Sequence, residues 1–138
     1  MSVQIRTALT SDTGTLVALM EEFYAASGYT FDQERVRYAF DQLLATPCLG
    51  QVWIAEEKGQ SLGYVVLTIG FSMEYGGYDA FVEDLYVRPA YRQSGLGGKL
   101  LEHLVADCRR PNVRAIHLEV GRDNAAAKNL THSLSFPH

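Results

Sequence analysis

The chain has 138 residues, enough for one domain (1–138) with a core of its own and too few for two. At 47% hydrophobic and 20% charged it has a globular composition, and a formal charge of −4 argues against a general nucleic-acid surface while mildly favouring a cationic substrate. No stretch approaches the ~20 apolar residues of a membrane span.

The N-terminal MSVQIRTALTSD lacks the charged start and apolar run of a signal peptide. Cys48 and Cys108 lie far apart without a Cys-x-x-Cys partner and read as reduced core residues. The expectation is a soluble cytoplasmic protein that engages neither membrane nor nucleic acid.

Taken in chain order, VQIRTA is a short strand. TSDTGTLVALMEEFYAAS offers Ser11 or Asp12 as a cap, then Leu16, Val17, Met20, Phe23 and Tyr24 at helical spacing, with Gly28 as the stop. A second helix is predicted from Asp32 to about Ala45, with Val36, Phe40, Leu43 and Leu44 on one face and Pro47 beyond its end. The period then changes. QVWIAEE and SLGYVVLTIGF flank the turn KGQS as a hairpin, and AFVEDLYV is a third apolar strand.

GLGGKLLEHLVADCR follows as a helix, with Leu96, Leu100, Leu101, Leu104, Val105 and Cys108 on one side. RAIHLEV is another strand and NAAAKNLTHSL a last helix. The order β-α-α-β-β-β-α-β-α predicts an α/β domain with a mixed sheet. FSMEYGGYDAF, rich in aromatics and glycine, reads as a loop before the third strand.

The segment DLYVRPAYRQSGLGGKLL carries the chemistry. A helix start leaves backbone N–H groups without partners and has partial positive charge. Gly95, Gly97 and Gly98 lack the Cβ atoms that would keep a phosphate away, and Arg92 and Lys99 add charge. The glycines alone also fit a plain turn before a helix. The spacing is not the G-x-G-x-x-G of a dinucleotide fold, and Lys99 is followed by Leu100 rather than the Ser or Thr of a P-loop. His103, His117, His132 and His138 show no metal-ligand spacing, so no metal is expected, and His117 reads as a hydrogen-bonded structural residue.

With Arg92-x-x-Gly95-x-Gly97 after LYVRPAY, this segment closely resembles the coenzyme A-binding segment of the GNAT superfamily of N-acetyltransferases, whose motif is Gln/Arg-x-x-Gly-x-Gly/Ala. The similarity extends from Val3 to Phe136. It implies a GNAT-like mixed, splayed central sheet flanked by helices. With Ser135-Phe136 in place of the usual Gly-Phe and His138 the last residue given, the expectation is a sheet without the family's usual final strand. A homodimer covering the resulting open edge is one expectation, repacking of the N-terminal elements or a truncated chain the others.

The resemblance further implies that acetyl-CoA is the cofactor. The backbone of Leu85, Tyr86 and Val87 would pair with the pantetheine arm, and Arg92, Gln93, Ser94, Gly95, Leu96, Gly97, Gly98 and Lys99 would wrap the pyrophosphate. Asn124 would contact the pantetheine side, or simply cap the last helix. Acetyl transfer needs a base, because an amine of pKa ~10.4 arrives protonated. It also needs a backbone N–H to stabilise the oxyanion, for which Val87 is the candidate.

Glu83 matches the base of polyamine-type members, with Asp84 beside it. Strand alternation sends the two carboxylates to opposite faces, and either also fits a surface acid paired with Arg88 or Arg92. Tyr24, Tyr29, Glu74, Tyr75 and Tyr78 are candidates for the acceptor pocket, although packing alone accounts for most tyrosines. The family's thiolate-protonating Tyr is replaced by Thr131.

The function implied is acetyl transfer from acetyl-CoA to a primary amine of a small molecule, polyamine or peptide. The alternatives are a CoA-binding or oligomeric interaction module with little turnover and, last, a nucleotide-phosphate binder.

Overall fold

A computed structural model of the chain describes residues 2–108 and 113–118. Within them the order is β1 (Gln4–Thr7), α1 (Thr13–Ser27), α2 (Gln33–Ala45), β2 (Gly50–Glu57), β3 (Gln60–Ser72), β4 (Gly77–Val87), α3 (Leu96–Asp107) and β5 (Val113–Leu118). This is the expected order up to β5. The expected last helix, with Asn124 and Thr131, lies outside the described residues, as do Ser135 and Phe136.

One mixed sheet runs β1-β2-β3-β4-β5, antiparallel throughout except for the parallel β4–β5 pair. Sequence alternation splits the strands between two apolar layers. On one face Trp53, Val65, Leu67, Ala80 and Val82 meet Leu96, Leu100, Leu101 and Leu104 of α3. On the other, Val52, Ile54, Tyr64, Val66 and Tyr86 meet Leu16, Val17 and Leu19 of α1 and Phe40 of α2. No helix among the described residues is long and apolar enough to cross a membrane.

Local chemistry fixes the helix ends. Asp32 caps α2 by accepting a hydrogen bond from the Arg35 N–H (3.2 Å). Asp12 precedes α1 but does not cap it with its side chain. Its carboxylate accepts from the Leu9 N–H (2.7 Å) and receives both Arg6 terminal nitrogens (2.9 Å each), while Arg6 Nε bonds Glu56 (2.9 Å). That bidentate pair ties the start of α1 to β1 and β2.

Two sequence expectations are corrected. The segment 71–81 is mostly not a loop: β3 and β4 extend through it as a hairpin whose turn is only residues 73–76. Cross-strand aromatics hold it, with Phe71 and Tyr78 edge to face at 5.7 Å. Cys48 is exposed rather than in the core, because it follows Pro47 in a short helical turn outside the apolar layers.

At the opposite end of the hairpin, β3 and β4 approach unusually closely. A Cβ built on Gly63 would stand 2.4 Å from the Tyr86 carbonyl oxygen. Gly63→Ala is therefore expected to cost about 1–3 kcal/mol of folding stability by overpacking, read from denaturant midpoints. An unchanged midpoint would contradict the approach of these strands.

Candidate active site

The ladder between β3 and β4 carries one irregularity. Val66 pairs with Asp84 and Leu67 with Val82, so Glu83 is an extra residue on β4. Two residues of a bulged strand oppose one on its partner, which turns adjacent side chains toward the same side. Glu83 and Asp84 accordingly line one cavity. This overturns the expectation of opposite faces, which assumed unbroken alternation.

The cavity measures about 570 Å³ and lies between α1, α2 and the sheet. Its walls are mainly apolar, with Tyr24, Phe40, Leu43 and Val66 among them. Asp84 is the more sequestered carboxylate, while Glu83 is exposed. Burial pushes the Asp84 carboxyl up to about 6; the Tyr64 hydrogen bond opposes that rise and the neighbouring Glu83 charge adds to it. The Tyr64 hydroxyl donates to Asp84 Oδ2 at 3.2 Å. Burial above all keeps that phenol protonated, so Tyr64 remains a donor.

Arg88 and Arg92 have their partners elsewhere. Arg88 forms a bidentate pair with Glu22 of α1 (Nη2 to Oε2 2.6 Å, Nε to Oε1 3.1 Å) and bonds the Ser61 carbonyl (3.1 Å). The Tyr86 hydroxyl donates to the same Glu22 (3.1 Å). Arg92 Nε donates to the Val87 carbonyl (2.9 Å), and its guanidinium lies 5.7 Å from the Tyr86 ring centroid. Glu83 and Asp84 are thus not the partners of Arg88 and Arg92.

The backbone of β4 is divided by ladder parity. The Arg88 N–H donates to the Leu62 carbonyl (2.9 Å). By the two-residue repeat of an antiparallel pair, Tyr86 also turns its N–H and C=O to β3, while Leu85 and Val87 turn theirs to the opposite edge. Among the described residues, β5 pairs with that edge only as far as Val82. An extended ligand therefore finds the N–H and C=O of Leu85 and the N–H of Val87 on an open edge, the Val87 carbonyl being taken by Arg92, whereas the backbone of Tyr86 is occupied.

That edge leads to the start of α3. Gln93 (φ 64°) and Gly95 (φ 83°) are both left-handed, and Gly95, as the residue before the helix, brings no side-chain cap. The Ser94 hydroxyl is used on the Tyr91 carbonyl (2.5 Å). The first helical bond runs from the Lys99 N–H to the Gly95 carbonyl (3.0 Å), which leaves the N–H groups of Leu96, Gly97 and Gly98 without helical acceptors.

Cβ atoms built on Gly97 and Gly98 would meet nothing within 4 Å, so packing does not demand glycine there. The bare backbone faces open space, with Arg92 and Lys99 exposed beside it. These residues fit a pyrophosphate, and the open edge of β4 fits the amide-bearing arm attached to it.

The proposed acceptor residues separate. Tyr24 lines the cavity, and Tyr29 reaches it only by packing edge to face on Tyr24 at 5.7 Å, being itself 62% exposed. Glu74 and Tyr75 sit at the β3–β4 turn and form no part of the cavity wall. Tyr75 instead stacks at 6.4 Å on His117, whose Nε2 is 2.8 Å from Asp79 Oδ1.

Comparison with known proteins places the chain. The model of the Acetyltransferase (GNAT) family matches residues 16–136. The L-methionine sulfoximine/L-methionine sulfone acetyltransferase of Salmonella typhimurium is 35% identical over 106 residues, 76% of this chain, and the chain spans 58% of that relative's length. An uncharacterized N-acetyltransferase of Archaeoglobus fulgidus is 30% identical over 91% of this chain and 87% of its own length.

Among solved structures, an integron cassette protein from the mobile metagenome of Cole Harbour Salt Marsh superposes with a TM-score of 0.81. It is 43% identical, over 91% of this chain and 82% of that one. On these grounds the chain belongs to the GNAT family of acetyltransferases, which use acetyl-CoA.

Proposed function

We propose that the chain transfers the acetyl group of acetyl-CoA to a primary amine seated in the cavity, with Asp84 as general base. The observation that carries this reading is the placement of Asp84. A carboxyl raised to about 6 sits on the wall of an apolar cavity, one residue from the open edge of β4.

Acetyl-CoA supplies an acyl group activated as a thioester. The N–H groups at the start of α3, with Arg92 and Lys99, hold its pyrophosphate, and the outward backbone of Leu85 and Val87 holds its arm. The chain must take a proton from the amine, since an alkyl ammonium of pKa ~10.4 has no lone pair. Asp84 is ionised at neutral pH and close enough to neutrality in pKa to accept that proton effectively. Glu83, beside it and more exposed, adds negative charge that draws the ammonium in.

The oxyanion donor follows from the strand geometry. A strand rises ~3.3 Å per residue, so the outward N–H of Leu85 is a single step from Asp84 and that of Val87 is three. Leu85 is therefore the donor aimed at the acyl oxygen, and Val87, first expected in that role, serves the arm.

Three outcomes are expected. Steady-state kinetics of Asp84→Asn should show kcat reduced by about 10²–10⁴ with acetyl-CoA affinity retained. In the native protein kcat/KM should fall as pH drops through about 6, because protonated Asp84 cannot accept a proton. A flat profile, or an active Asn variant, would remove Asp84 from this role.

The second outcome concerns stability. The folded pKa of Asp84 lies above its ordinary 3.8, so the stability of the protonated form is present in full below about pH 4 and lost as pH rises through about 6. Asp84→Asn should therefore stabilise the protein at pH ~8 by about 1–3 kcal/mol in urea denaturation, with the gain fading toward pH ~4.

The third outcome tests the cradle. Acetyl-CoA at ~100 times its dissociation constant should add ~2.7 kcal/mol and raise the unfolding temperature by several degrees. Gly97→Asp, which meets no steric obstacle, should abolish that rise by placing a carboxylate against the pyrophosphate.

A further inference from the structure

The cavity beside Asp84 contains one charged group that acetyl transfer does not use. Arg35, in the first turn of α2, lines its wall. The Arg35 backbone N–H is engaged by Asp32, yet its guanidinium enters no hydrogen bond or ion pair among the described residues.

The two signs of charge are held apart. Tyr24 lines the same cavity as both: burial first, then Asp84, hold its phenol up, and Arg35 acts in the opposite sense. Arg35 forms no ion pair with Asp84 or Glu83 among the described residues. The cavity wall thus carries both a pair of carboxylates and an unpaired guanidinium, together with the apolar side chains of Val36, Phe40 and Leu43.

We propose that the acceptor is a small amino-carboxylate, its amine at Asp84 and Glu83 and its carboxylate at Arg35, with its apolar body along Val36, Phe40 and Leu43. This rests on the acetyltransferase reading above. A guanidinium is suited to a carboxylate because its planar fork donates two parallel hydrogen bonds. The same charge disfavours a polyamine, whose second ammonium would meet Arg35 with like sign. A cavity of about 570 Å³ is of ordinary size for a small organic ligand.

The test is a calorimetric titration into the protein saturated with CoA, accompanied by acetylation rates with acetyl-CoA. Leucine, phenylalanine and aminohexanoic acid are compared with leucinamide, phenylalaninamide and hexylamine. Each carboxylate should bind about 10- to 100-fold more tightly than its counterpart lacking it, as expected for a charge-assisted contact. In Arg35→Gln that ratio should fall to near one. Arg35 is exposed, so the variant should keep its unfolding temperature.

Failure of the carboxylates to bind, equal or tighter binding of the amides and hexylamine, or a ratio unchanged in Arg35→Gln would each overturn the proposal. Acetylation of the carboxylate-free amines with no preference would overturn it and leave the transferase reading standing. Tight, Arg35-dependent binding without acetyl transfer would support recognition of the amino-carboxylate and overturn the transferase reading.

Discussion

One extra residue in one strand governs the site. Without a bulge at Glu83 the β3–β4 ladder would run in simple alternation, and Val82 and Leu85 would face opposite layers. With it, Val82 stays in the α3 core and Leu85 packs against the same core, while Glu83 and Asp84 both turn to the cavity. The bulge also resets which backbone groups of β4 face β3. It therefore sets the carboxylates and the outward N–H groups of Leu85 and Val87 in a single register. Deleting Glu83 would restore regular pairing of Val82 with Leu67 and Asp84 with Val66, keeping the faces beyond and leaving Asp84 as the carboxylate turned to the cavity.

The site is built against stability at one position and secured at others. An ionised carboxylate beside Val66 and Phe40 is disfavoured by its surroundings, and only the Tyr64 hydroxyl offsets that locally. The fold compensates elsewhere with two complete apolar layers and with bidentate arginine pairs at Asp12 and Glu22. Neither pair is fully buried, so their value lies in fixing geometry more than in energy.

The parts of the molecule legible in the sequence are those written in local periodicity. The apolar side of α3, the β2–β3 hairpin, the Asp32 cap and the glycine-rich start of α3 all depend on residues within a turn or two of each other. The bulge was also present, as a three-residue step between the apolar Val82 and Leu85 where a regular strand has two. The Tyr64–Asp84 and Glu22–Arg88 contacts were not legible, because partners 20 and 66 residues apart meet only when the sheet and α1 are assembled. Arg35 had no local signature either, since an arginine in the first turn of a helix reads as ordinary surface. The aromatic segment before β4 misled because glycine and tyrosine suit both loops and twisted hairpins.

The Glu22–Arg88 clamp has a consequence for how the halves of the site are related. Glu22 lies between Met20 and Tyr24, which wall the cavity, while Arg88 follows directly on Val87, whose outward backbone faces the cofactor edge. Tyr86 joins the same clamp through its hydroxyl and carries the Arg92 guanidinium on its ring. The wall that would meet the acceptor and the strand that would meet the cofactor are thus joined by this clamp and by the stacking of Phe23 on Tyr86 at 5.1 Å. A shift of α1 is transmitted to β4 rather than absorbed between them, so the two ligands are gauged from a common origin.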